Sequence, residues 1–147
     1  MSQTDAALIE ASLLWLAESG TEIRHRLFDR FLEAYPARRK DFLAREATTI
    51  RMTDETLQIL YGLAGEESWV WPLVAELVAT HQNYGHLPLE EYDAFVDLLI
   101  AELAEVLAEQ WSAPTAAAWQ RQSERLKAMI AKASAEWDRV LPRTGRA

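Results

Sequence analysis

Apolar side chains recur three and four residues apart along most of the chain, and the strict alternation of a half-buried strand is absent. Leu8, Leu13, Trp15 and Leu16 give the apolar side of a first helix. It runs from Thr4 or Asp5, both good N-caps, to Gly20, a good stop. A second helix begins near Thr21, carries Leu27, Phe28, Phe31 and Leu32, and ends before Pro36, which pushes its predecessor out of helical geometry. Ala37 to Phe42 reads as a short helical turn and Arg45 to Thr49 as a loop. A third helix covers Thr53 to Ala64, with Leu57, Leu60 and Leu63 on one side and Gly65 after it. Trp69 and Trp71 lead into a fourth, in which Val74, Leu77, Val78 and His81 share a face and which Gly85 closes. A long helix from Pro88 to Gln110 carries Tyr92, Phe95, Val96, Leu99, Leu103, Val106 and Leu107. The last has Ser112 as N-cap, Pro114 in its first turn and a stripe of Trp119, Leu126, Met129, Ile130, Ala133 and Trp137. The pattern predicts an all-α fold of about six main helices plus a short helical turn. It fits a single domain over residues 1–147, with 1–3 and 142–147 as frayed ends.

Composition narrows the chemistry. The 147 residues are one domain's worth, and half of them are hydrophobic, enough for a core. The net charge of -8 repels phosphate backbones and anionic lipid, so neither nucleic acid nor membrane is an expected partner. Cysteine is absent, which removes disulfides, thiolate catalysis and Cys-based metal sites. The start Met-Ser-Gln-Thr-Asp lacks the basic and apolar stretches of a signal peptide, and no run is apolar enough to span a membrane, so a soluble cytoplasmic protein is expected. Glu90, Glu91, Glu102, Glu105 and Glu109 read as solvated helix surface rather than acid–base pairs.

His81 is the residue that asks for an explanation. Its stripe aims the imidazole inward, and a buried imidazole needs a hydrogen-bond partner or a metal. A hydrogen-bonded core histidine is the competing reading. The only other histidines are His25 and His86, and neither a His-Glu-x-x-His pattern nor a repeated Glu-x-x-His pair occurs. One histidine amid apolar surface suits a macrocycle that brings four ligands of its own, and haem is such a cofactor. The ring's second nitrogen would need an acceptor, which the carbonyl of Leu77 or Val78 one turn earlier can supply.

Three segments resemble a known family, in order and over nearly the whole chain. Thr80-His81-Gln82-Asn83-Tyr84-Gly85, followed by Pro88 and Tyr92, is similar to the proximal histidine region of globins. Gln110-Trp111-Ser112-Ala113-Pro114, then Ala117-Ala118-Trp119, resembles the junction before their final helix. Phe28-x-x-Phe31, then Tyr35-Pro36 and Phe42, resembles their second helix and the corner after it. The likeness is to bacterial single-domain globins and to the globin part of flavohaemoglobins. It implies a globin-like fold around one haem b (iron protoporphyrin IX), with His81 as the axial iron ligand and Phe42 packed on the haem. It also implies Phe28, Leu77, Tyr84 and Leu99 in the lining, Tyr92 near the proximal histidine across a connection one residue longer than in flavohaemoglobins, and His86, Arg45 or Arg51 at the propionates. Tyr61 reads as core rather than pocket, and Trp69 and Trp71 as core or a partner surface.

The distal side departs from the family. Phe28 stands where many bacterial globins have a tyrosine. One loop spacing places Met52 and Thr56 over the iron and another places Thr49 and Thr53 there; Gln58 faces it only if the helix is rotated. A pocket without a strong donor is expected to hold oxygen weakly. The function implied is reversible binding of a diatomic gas, oxygen or nitric oxide, with carbon monoxide as a further ligand. The alternatives are a haem enzyme (a nitric oxide dioxygenase or peroxidase served by a separate reductase) and a globin-shaped sensor or interaction module. A homodimer is compatible with the resemblance.

Overall fold

A computed structural model describes residues 3–42, 44–83, 85 and 87–140, the side chain of Val140 apart. Among these there are six α-helices and no strand: α1 (Asp5–Ser19), α2 (Arg24–Ala34), α3 (Arg45–Ala64), α4 (Val70–Gln82), α5 (Leu89–Leu107) and α6 (Ala113–Val140). Short 3-10 segments lie at Pro36–Asp41 and Ala108–Gln110. The expected frayed ends at 1–2 and 142–147 fall outside the described residues.

The helix ends follow the local chemistry. Thr4 caps α1 by accepting from the Ala7 N–H, and Gly20 closes it at φ 68°, a left-handed conformation that costs glycine nothing. Ser112 accepts from the Thr115 N–H at 3.3 Å and so caps α6, with Pro114 in the first turn. Four boundaries differ from the pattern, one being the end of α5 at Leu107 rather than Gln110. The second helix starts at Arg24, not Thr21. Pro88 sits at the N-cap of α5, extended at ψ 142°. The expected loop at Arg45–Thr49 is instead the first turn and more of α3. Thr48 and Thr49 weaken the helical pattern there, yet Thr49 is wholly buried, so tertiary packing overrides weak propensity.

The core joins all six helices. Ile9, Leu27, Phe28, Leu60, Val74, Leu99, Leu103 and Trp119 are wholly enclosed. The long α6 packs on α1, α3, α4 and α5, while α2 crosses α5 and α3. Polar ties fix these crossings. The Trp119 indole donates to Ser12 Oγ at 3.0 Å, and the Ser12 hydroxyl donates to the Leu8 carbonyl at 2.9 Å, so both buried groups are satisfied. Asp5 accepts from Arg121 and Gln122 across α1 and α6, and the Arg121 guanidinium holds its carboxyl below the usual range. At the α3–α4 corner, a Cβ on Gly62 would stand 2.6 Å from the Trp69 ring and 2.7 Å from Val70, so the helices meet this closely only because Gly62 has no side chain.

Two carboxylates expected on the surface are buried. Glu91 is 6% exposed and Glu102 is 1% exposed. Each is held by arginine: Glu91 by both arms of Arg38 at 2.6 and 2.8 Å, and Glu102 by Arg30 at 2.7 Å and Arg26 at 3.0 Å. Charge alone misled here. Glu91 is four residues before Phe95 and Glu102 three after Leu99, so both lie on the buried stripe of α5. That spacing was the available signal.

Candidate functional site

Near the end of α4, His81 is part-buried, below the enclosed Val74 and Val78 on the same helix. Of the two carbonyls the sequence offered, that of Leu77 lies 2.8 Å from His81 Nδ1. A carbonyl only accepts, so Nδ1 carries a proton, and in the neutral ring Nε2 then keeps its lone pair. Nε2 has no partner among the described residues. A neutral imidazole with one nitrogen anchored and the other free is the form a metal takes up.

Tyr92, from the first turns of α5, meets the His81 ring edge to face, with centroids 5.6 Å apart and planes at 64°. Its hydroxyl is buried with no hydrogen-bond partner among the described residues, and burial pushes the phenol up to about 12. Phe28 is enclosed in α2 and touches Phe42 at 5.4 Å and 84°, and Phe95 at 5.4 Å and 67°. Phe42 follows the Pro36–Asp41 turn and remains partly open. The Arg38–Glu91 pair ties that turn to α5, which fixes where Phe42 emerges. Leu99 is fully enclosed in α5, while Leu77 is partly buried against the core.

On α3, Thr49, Thr53 and Thr56 are buried and Met52 is partly so. The Thr56 hydroxyl donates to the Met52 carbonyl at 2.7 Å, which consumes its only proton. The hydroxyls of Thr49 and Thr53 have no hydrogen-bond partner among the described residues. Gln58 is exposed, so the rotated helix that would bring it inward is not the one formed. Tyr61 is 38% exposed and is not core. Arg51 is exposed, and Arg45 is engaged by Asp29. Trp69 covers Gly62, and the Lys132 ammonium stands 4.7 Å over the Trp71 ring. Tyr84 and His86 lie outside the described residues.

The donor set fits a haem: one free imidazole nitrogen, an edge of aromatic and aliphatic side chains, and a facing helix that carries a thioether and hydroxyls. No group of three or more His, Cys, Asp or Glu side chains that could hold a metal ion occurs among the described residues.

These features define an all-α domain with a half-buried histidine poised beside aromatic side chains. A model of the globin family matches residues 25–130, from α2 into α6 and more than two thirds of the chain. The chain belongs to the globin family and has an all-α globin fold. Membership implies a haem and a gas ligand. No curated protein matches the chain. No helix among the described residues is long and apolar enough to cross a membrane.

Proposed function

We propose that this chain is a single globin domain that binds haem b through His81 and takes up a diatomic gas, oxygen or nitric oxide, reversibly on the opposite face. The observation that carries the reading is the His81 ring, with Nδ1 tied to the Leu77 carbonyl and Nε2 free. Haem would supply the iron, and with it the affinity for diatomic gases. The Leu77 carbonyl holds the imidazole plane and raises its basicity. Tyr92 packs against the ring edge and limits its rotation. Phe42, Phe28, Leu77 and Leu99 supply apolar walls, and Met52 and Thr56 face the ligand.

The distal inventory favours weak oxygen retention. Phe28 has no donor, and Thr56 spends its proton on Met52. A polar gas complex then lacks the hydrogen bond that stabilises its charge. This argues for a carrier or scavenger of a gas that leaves readily.

Titration of the purified protein with haemin tests the reading. A one-to-one Soret band is expected, weakened or shifted in His81→Ala. Failure to take up haemin, or an unchanged band in that variant, overturns it. In the loaded protein, rapid oxygen dissociation is expected, and a very slow off-rate contradicts the distal argument.

A further inference from the structure

The proposed haem site leaves the position opposite His81 open, and the structure carries a side chain suited to close it. Helices α3 and α4 meet at a tight corner, where Gly62 lies against Trp69 and Val70. At 1.5 Å per residue, Met52 stands about 18 Å from the corner end of α3. His81 stands about 17 Å from the corner end of α4. The two residues therefore lie at similar distances from the corner, each along its own helix. Thr53 does so as well, but it lies about 180° round α3 from Gly62, on the side turned away from the corner contact. It is wholly enclosed, as is Thr49. Met52 is only about 80° from the Gly62 line. It shares the partial exposure of His81 while packing on the core. Arg51 and Gln58, closer to the α4 side, are exposed, and Glu55 is half-buried with a charge to keep solvated. Among the inward side chains of α3, Met52 alone carries a soft donor atom that needs no deprotonation.

Resting on the reading of His81 as the haem ligand, we infer that Met52 occupies the sixth iron position in the gas-free protein, so that the haem is held between an imidazole and a thioether and an incoming gas must displace the sulfur. The exchange swaps one neutral electron-pair donor for another: one bond to iron breaks, one forms, and no proton or electron moves. Methionine suits a ligand that must leave, because its unbranched chain has three rotatable bonds and re-packs at little cost. The Thr56 hydroxyl, donating to the Met52 carbonyl, holds the backbone in place while the side chain swings. A His/Met pair also favours the reduced iron, which is the gas-binding state.

The test uses the haemin-loaded full chain, reduced without added gas, and compares it with Met52→Leu, a volume-conserving change that keeps the fold. The wild type is expected to show a six-coordinate low-spin spectrum, and the variant a five-coordinate high-spin one. If the sulfur keeps nine-tenths of the sites closed, apparent carbon monoxide affinity rises about tenfold in the variant. The midpoint potential is expected to fall. A high-spin wild type, or a low-spin spectrum that survives in Met52→Leu, overturns the inference while leaving His81 as the haem ligand. Absence of haem uptake by the wild type overturns both.

Discussion

Removing the arginine that neutralises Glu91 is the sharpest test of how the Phe42 corner is held. Glu91 is almost wholly buried, its carboxylate gripped by Arg38 at 2.6 and 2.8 Å, while the Arg38 side chain is 33% exposed. The guanidinium is correspondingly held charged more firmly than usual, chiefly through its hydrogen bond to Glu91. Breaking a fully buried pair costs about 3–5 kcal/mol, because an unpaired charge stays behind. Here water reaches the arginine's side of the pair and offsets part of that penalty. Arg38→Ala is therefore expected to lose about 2–3 kcal/mol, measured by urea unfolding with an unchanged slope. For a chain of this length the melting temperature falls by roughly 5–10 °C. The double variant Arg38→Ala/Glu91→Gln is expected to be more stable than Arg38→Ala alone, since no buried charge is then orphaned. A loss below about 0.5 kcal/mol, the range of an exposed ion pair, would refute the argument. So would a double variant weaker than the single one.

Tyr92 makes stability sensitive to alkali. The folded phenol ionises near 12 and the unfolded one near 10, so between those values the unfolded chain loses its proton first and stability falls as pH rises, by about 2–3 kcal/mol in all; Tyr92→Phe should show less loss over that window in pH-dependent urea titrations. Thr53→Val replaces a buried hydroxyl, unpartnered among the described residues, by a methyl and should raise the unfolding free energy by about 1 kcal/mol in urea titrations without altering haemin affinity. Gly62→Ala pushes a methyl into Trp69 and the enclosed Val70; Trp69 has room to move and Val70 does not, so a loss of about 1–3 kcal/mol is expected in thermal melts.

The spacing of apolar residues was enough to read the all-α class and the order of the helices, because a helix that must bury one face writes that need into its own three-to-four periodicity. Capping at Thr4, Gly20 and Ser112 was legible for the same reason, since the groups satisfied are a few residues away in the chain. What lay beyond the sequence were matters settled between helices. Arg45–Thr49 has weak local preference and became helix only because the rest of the fold encloses Thr49. Glu91 and Glu102 look like surface charges until α2 and the turn before Phe42 bring arginines from more than 50 residues away in sequence to meet them. Whether Met52 or Thr53 turns toward α4 depends on the rotation of one helix about its axis. That rotation is set by the packing of α3 on α1, α2 and α6 and by the close approach to α4 at Gly62, contacts that no periodicity encodes.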